Sequence, residues 1–276
     1  MPELTVVVPT RNSARTLAAC LRSVRDQTLP VELIVVDNSS SDTTIAIAQE
    51  HADRVLVGGP ERSAQRNAGW RAGAGPAVMF VDSDMRLEPE LAEQGLALFA
   101  ADERLGAVVL PELAFGEGYF AACRSLEKRL YLGDGAVEAA RVFRREALQQ
   151  VGGYDERLTG PEDWDLPDRV VASGWRLGRT TGYVWHDEGY VRLGQQFEKK
   201  RYYGGGVHRY RQIVPPERRR QVHRRSLIDL QALARDPLHT PGLVALKIVE
   251  AAGLASGVVQ AVRAERSSSA PRRRGR

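Results

Sequence analysis

The chain has 276 residues, 43% hydrophobic and 27% charged, which suits one large globular domain or a domain with an appendage. With 26 glycines and only 7% aromatics, it has the balance of an α/β protein rich in tight strand-to-helix turns. Two cysteines exclude a disulfide framework and a cysteine-built zinc centre, and a net charge of +4 leaves room for a locally basic region.

The first residues, Met1-Pro2-Glu3-Leu4, lack the basic and apolar regions of a signal peptide. No uninterrupted apolar run reaches the ~18 residues of a spanning helix, so a cytoplasmic location is expected. Leu4 to Val8 reads as an apolar strand stopped by Pro9. A helix over residues 14–27 follows, with Cys20 a small core residue on its apolar face. Leu33 to Val36 is a second apolar strand ending at Asp37, and residues 43–50 read as a helix. Val55 to Val57 is a third strand, broken by Gly58-Gly59-Pro60. Residues 62–72 read as helix and 77–81 as a fourth strand, ending at Asp82.

Further strands are expected over 106–110, 136–143 and 183–185, with helices over 144–151 and 162–173. From about residue 195 the pattern turns basic and helical. Residues 243–262 are apolar but interrupted by Lys247 and Glu250, which suits an amphipathic helix on the domain or at a bilayer surface, not a span. Residues 267–276 form a Ser/Arg/Pro tail expected to be disordered. The expected division is 1–195 catalytic, 196–266 a basic helical extension, and 267–276 tail.

Strands apolar on both faces, alternating with amphipathic helices, indicate an α/β fold with a parallel sheet and a Rossmann-like beginning. Ligands of such sheets bind at the carboxyl ends of the strands. Those ends carry Thr10-Arg11-Asn12, Asp37-Asn38-Ser39, a loop leading to Arg62 and Arg66, and Asp82-Ser83-Asp84. Polar groups thus converge on one edge.

Absent motifs narrow the chemistry. No Gly-x-Gly-x-x-Gly follows the first strand, no Gly-x-x-x-x-Gly-Lys-Ser/Thr occurs, and no Gly-x-Ser-x-Gly elbow is present. These argue against a nicotinamide dehydrogenase, a P-loop NTPase and an α/β-hydrolase. Asp82 and Asp84, one residue apart at a strand end, are hard oxygen ligands suited to Mg²⁺ or Mn²⁺. A divalent ion there would bridge two phosphates of a nucleotide. Alone, Asp-x-Asp is equally a solvated turn.

Four ordered blocks, Val8-Pro9-Thr10-Arg11-Asn12, Val36-Asp37-Asn38-Ser39-Ser40-Ser41-Asp42, Arg66-Asn67-Ala68-Gly69 and Val81-Asp82-Ser83-Asp84, resemble the signatures of family 2 glycosyltransferases with the GT-A fold. Gly152-Gly153-Tyr154-Asp155-Glu156 and Pro161-Glu162-Asp163-Trp164-Asp165-Leu166 continue the resemblance, which covers roughly residues 4–190. It implies an inverting transfer from a nucleoside-diphosphate sugar to a hydroxyl acceptor.

The resemblance also implies roles. Pro9, Thr10 and Asn12 would line the nucleoside pocket. Asp37 and Asn38 would reach the base or hold its loop. Asn38 stands where the family often has a second acid, which leaves the base open. Arg62 or Arg66 would meet the diphosphate, with Arg66 alternatively bracing the first helices. Asp82, with Ser83 beside it, would lie near ribose and metal, and Asp84 would ligate the metal. His186 would complete the metal shell.

Inverting transfer needs a base for the acceptor hydroxyl. Asp163 takes that role by resemblance, with Glu162 as backup; a helix N-cap cluster is the plainer reading of the pair.

The basic stretch runs from Lys199-Lys200-Arg201 through Arg209, Arg211, Arg218, Arg219, Arg220, Arg224 and Arg225, and Arg272, Arg273, Arg274 and Arg276 close the chain. Such charge suggests an anionic partner. Gly204-Gly205-Gly206 suggests a mobile loop that closes over the donor phosphates. Acceptor candidates are a lipid carrier, a growing surface polysaccharide or a small metabolite. The basic, apolar C-terminal region tilts the choice to a membrane-proximal one, with peripheral contact at the inner face and no specific nucleic acid. Competing readings are a sugar nucleotidyltransferase, which would want a Gly-rich basic loop after the first strand, and a non-enzymatic nucleic-acid or membrane-surface module.

Overall fold

The computed structural model describes residues 2–135, 137–216 and 230–269. Arg218, Arg219, Arg220, Arg224, Arg225 and the four arginines of the tail lie outside the described residues.

The first half alternates as the pattern predicts: β1 (Leu4–Thr10), α1 (Leu17–Arg25), β2 (Glu32–Asp37), α2 (Thr44–His51), β3 (Arg54–Val57), α3 (Arg62–Ala72) and β4 (Ala77–Phe80). β5 (Met85–Leu87), α4 (Leu91–Ala101), β6 (Leu105–Val109), β7 (Glu112–Glu117) and α5 (Tyr119–Tyr131) follow. Then come β8 (Ala140–Arg144), α6 (Arg145–Val151), α7 (Glu162–Ala172), β9 (Arg176–Arg179) and β10 (Val184–Tyr190). The C-terminal helices are α8 (Leu193–Ile213), α9 (Leu230–Ala234) and α10 (Thr240–Ser269).

A seven-stranded sheet has the order β3-β2-β1-β4-β8-β6-β9, and a small sheet has the order β5-β10-β7. β1, β2, β3 and β4 are mutually parallel, and β8 runs antiparallel to both of its neighbours. Strand order reverses at the β1–β4 pair, where a crevice opens at the carboxyl ends. The inner strands β1, β2 and β4 are buried on both faces, with one apolar cluster around Val6, Val8 and Leu33 and a second around Val7, Ile34 and Phe80. Cys20 packs in the first of these, as expected, and burial pushes its thiol pKa up.

β1 does not stop at Pro9. It runs on to Thr10, paired with β2 through Pro9↔Val36 and Thr10↔Asp37, while its pairing with β4 ends at Val7↔Phe80. Pro9 therefore falls where β1 has a neighbour on one side alone, the setting in which a missing N–H is tolerated. Asp82-Ser83-Asp84 occupies the short link between β4 of the large sheet and β5 of the small one, closed by the Met85 N–H donating to the Asp82 carbonyl at 2.9 Å. The segment thus bridges the two sheets.

Two expectations for the C-terminal region change. Gly204-Gly205-Gly206 is not a loop but the middle of α8. A side chain at Gly204 would collide with the Leu254 carbonyl and Gly257 of α10, and one at Gly206 would strike the Thr159 carbonyl. Glycine costs roughly 1 kcal/mol in a helix interior, so its presence here is explained by close backbone approach. α10 is also longer than the expected amphipathic segment. By length and composition it meets the requirement for crossing a membrane, with a third of its most apolar stretch buried inside the fold. The sequence run is broken by Lys247 and Glu250, but these two are paired with each other, so the break is chemical and not structural.

Candidate active site

The carboxyl edge of the first strands carries a loop cluster that is tied internally. The Asp37 carboxylate, fully buried, accepts the Ser40 N–H at 2.8 Å and the Ser40 hydroxyl. Asn12 has a left-handed backbone, φ 49°, a conformation that asparagine adopts more readily than most residues. Its Oδ1 accepts the Ser41 N–H at 2.9 Å while its own N–H donates to Ser40 Oγ at 2.8 Å. Asn38 donates to the Pro60 carbonyl at 2.9 Å. Thr10 is buried and its hydroxyl has no hydrogen-bond partner. Ser83 Oγ reaches Ser13 Oγ at 2.9 Å, which joins this cluster to the Asp82–Asp84 segment.

Arg66 organises the second cluster. It is fully buried, and its two terminal nitrogens donate to Asp82 Oδ1 at 2.6 Å and Asp163 Oδ1 at 2.8 Å. The guanidinium also stacks over the Tyr154 ring at 5.1 Å. Burial alone would favour the neutral form, but Asp163 and Asp82 outweigh it and hold Arg66 charged. Arg66 therefore braces; it is Arg62, a third exposed and lining the cavity, whose Nη2 reaches Glu162 at 3.2 Å and the Tyr203 hydroxyl at 3.1 Å.

Neighbouring residues explain the sequence blocks. Gly69 lies against Val7 and Val36 so closely that no side chain fits, which seats α3 on the sheet. Asn67 clamps the loop before α7: its Oδ1 accepts the Tyr154 N–H at 2.9 Å and its Nδ2 donates to the Tyr154 carbonyl at 2.9 Å. Gly153, φ 78°, has no room for a Cβ against Asn67. The Arg66-Asn67-Ala68-Gly69 and Gly152-Gly153-Tyr154-Asp155-Glu156 blocks are thus two halves of one joint that delivers Asp163.

The two expected metal carboxylates have different surroundings. Asp82 gives Oδ1 to Arg66 and Oδ2 to Arg141 at 3.4 Å. Burial pushes its pKa up, but Arg66, Arg141 and Arg62 carry it well below the usual range. Asp84 is the one left with capacity: Oδ2 meets His186 Nε2 at 3.1 Å, and the buried Oδ1 has no hydrogen-bond partner. His186 lies inside β10, not after it as expected, paired with Met85 and Ala114. Its Nδ1 is held by Glu112 at 2.8 Å. Burial favours the neutral imidazole, but Asp84 and Glu112 outweigh it and raise the pKa to about 10. Among the described residues, no three His, Cys, Asp or Glu side chains converge as a ready-made ligand set.

The acid pair also divides. Glu162 is buried, and burial together with Asp163 raises its pKa; its Oε2 has no partner. Asp163 is 25% exposed and lines a cavity of about 420 Å³ with Arg62, Asp82 and His186. Pro9, Thr10, Asn12, Asp37 and Asn38 lie outside that lining.

Sequence reasoning missed Arg141 and Glu112. Arg141 bridges Asp82 and Glu112, and Glu112 orients His186. The available signal was a buried-strand pattern, Ala140-Arg141-Val142-Phe143, interrupted by one charge.

Comparison with known proteins gives the family and the fold. A family model described as glycosyl transferase family 2 matches residues 5–152. A pre-mycofactocin glycosyltransferase of Mycobacterium tuberculosis is 31% identical over 229 residues, which is 74% of this chain and 47% of the relative. The chain therefore spans about half the length of that relative. Glycosyltransferase AglE of Haloferax volcanii is 25% identical over 64% of each chain.

Among solved structures, a mannosyltransferase of Pyrobaculum calidifontis in complex with GDP-Man and Mn²⁺ superposes with TM-score 0.59 at 20% identity, over 95% of this chain and 81% of that one. Staphylococcus aureus TarS residues 1–349 with UDP-GlcNAc gives 0.52 at 18%, over 96% and 92%. These likenesses carry the fold, and the family model carries the rest: the chain belongs to glycosyl transferase family 2.

Proposed function

We propose that this chain transfers a sugar from a nucleoside-diphosphate sugar to an acceptor hydroxyl, with inversion, and that Asp163 is the base. The observation that carries the reading is the Arg66 bridge, which fixes Asp163 and Asp82 on opposite ends of one guanidinium at the rim of one cavity. Asp163 meets Arg66 through Oδ1, and the carboxylate stands in the first turn of α7, where free backbone N–H groups favour negative charge. Its part is to accept the acceptor proton as that oxygen attacks the anomeric carbon. Glu162, enclosed behind it, supports Arg62 and does not reach the cavity.

The residues fit a divalent cation. Asp84 Oδ1 is an orphaned buried oxygen, and His186 Nε2 faces the same carboxylate with its other nitrogen fixed by Glu112, the support that metal-bound histidines usually have. Asp84 would hold Mg²⁺ or Mn²⁺ through its free Oδ1, with His186 joining it as the ion displaces the Nε2 proton, and the ion would neutralise the departing diphosphate. Asp82 contributes by keeping the arginines in place. Arg62 takes the diphosphate role left open between the two arginines. Pro9, Thr10, Asn12, Asp37, Asn38 and Ser83 form the nucleoside side.

The division at about residue 195 is retained as a functional one, with the helical extension closing the acceptor side. Its outer face supports peripheral contact with an anionic bilayer at the inner face of the membrane. Val244, Ile248, Ala252, Ala255 and Val259 are all exposed at helical spacing, and Arg263 and Arg266 follow them.

The test is calorimetric binding of UDP and GDP with Mg²⁺, together with a donor screen for nucleoside diphosphate release. Asp84→Ala should lose the metal-dependent part of binding. Asp163→Asn should bind nucleotide normally and turn over on the order of 10²–10⁴ times more slowly. Full activity in either variant would sink that residue's role.

A further inference from the structure

The far wall of the cavity, built by α5, α8 and α10, brings Arg124, Lys199, Lys200 and Lys247 around Glu127 and Glu250, with Glu188 of β10 at 3.7 Å from Arg124 Nε. Glu250 of α10 is 4% exposed; its Oε1 accepts Arg124 Nη2 at 2.5 Å and its Oε2 accepts Lys247 Nζ. Glu127 is filled as well, by Arg124, Lys247 and the Tyr131 hydroxyl. Lys200 of α8 is the third cation to approach Glu250 and is left at 3.8 Å from Oε1, outside hydrogen-bond reach. Lys199 beside it makes no ion pair or hydrogen bond among the described residues, and both lysines line the cavity.

Lys200 is half-buried, and its ammonium has a counter-charge at 3.8 Å but no hydrogen-bond acceptor, which leaves it donors to offer into the cavity. Burial, then repulsion from Arg124, Lys247 and Lys199, outweighs Glu250 and brings the Lys200 pKa down to about 8. The elements around Lys200 are α5 and α10, which carry none of the residues assigned above to nucleotide or metal. These donors are therefore on the acceptor side.

We propose that Lys200, with Lys199 beside it, forms an oxyanion subsite that receives a phosphate-bearing acceptor. This rests on reading the cavity as the acceptor site. The oxyanion would accept the hydrogen bonds that Glu250 cannot, and would fix the acceptor so that a hydroxyl further along it meets Asp163. Lys199 is the member of the subsite that faces the metal end, since its charge helps to lower the Asp84 pKa.

The experiment uses the full chain and inorganic phosphate as the probe, titrated calorimetrically with and without saturating UDP or GDP and Mg²⁺. Phosphate should bind the nucleotide-loaded protein, Lys200→Gln should weaken it about tenfold or more, and Lys200→Arg should stay within about threefold. The melting temperature of Lys200→Gln should hold, since that side chain donates no hydrogen bond. Phosphate that is displaced by the nucleotide would assign the anion to the donor site and overturn the proposal. Equal phosphate affinity in the wild type and Lys200→Gln would overturn it too. If neither nucleotide binds, the donor reading fails, while the unloaded titration of wild type against Lys200→Gln still decides the subsite.

Discussion

At the carboxyl edge of the large sheet, Thr10 and Asp37 end apolar strands and Asp82 lies two residues past a third, so three local segments put three polar groups in one place. The cavity's C-terminal wall is assembled differently. Arg124, Lys200 and the Lys247–Glu250 pair come from three helices separated by up to 126 residues, held by ion pairs and by close packing of α10 on α5 and α8. Strand pairing places the first region, and helix packing with buried ion pairs places the second. The second should be the more sensitive to loss of a hydrogen-bonded pair such as Arg124–Glu250.

Within the first region, Asp82 also depends on the buried Arg66, and this gives the largest expected effect. Arg66→Met would strand Asp82 and Asp163 against each other and leave Glu162 without its nearest buried cation. Removing one member of a buried ion network costs roughly 3–5 kcal/mol, which urea denaturation would read as a lower midpoint. A loss below about 1 kcal/mol would show that strand ends alone hold Asp82 and that Arg66 does not organise the cluster.

The sequence reading divides along the same line. The first seven elements and their polar ends were legible because strand, turn and functional group are contiguous. The Asp82–Asp84 pair was legible as a pair, but not its division of labour, because Arg141 arrives from β8, 59 residues away. Glu112 and Arg124 were invisible for the same reason: nothing local marks a charge as buried when its partner lies elsewhere in the chain. The glycine run was misread because a mobile loop and a helix crossing call for the same residue. Only the partner helix decides between them.

Acid titration sharpens the comparison at intermediate size. Burial pushes the Glu250 pKa up, but Arg124, Lys200 and Lys247 outweigh it and bring it to about 2. An unfolded glutamate titrates near ~4.3, so the folded state holds the proton less tightly. The stabilisation is full above the unfolded value and is lost as pH falls from about 4 toward about 2, amounting to on the order of 2–3 kcal/mol. The urea midpoint of wild type relative to Glu250→Gln should converge over that window. A gap that persists at pH 2 would show that packing, not charge, holds the helical layer.

The smallest effect belongs to the outer face of α10. Ile248 is 65% exposed, so Ile248→Ser should change stability by less than about 0.5 kcal/mol. Sedimentation with vesicles containing anionic lipid should nevertheless fall. Unchanged sedimentation would remove the bilayer from the account of this region.

The meeting of α8 and α10 at Gly204 and Gly257 has a consequence for descent. Where two helices touch backbone to backbone, no side chain lies between them to be trimmed or lengthened, so their separation cannot drift by small steps. The spacing of these two helices in the cavity's far wall is therefore fixed as a unit, and variation of that wall falls on its individual lining residues.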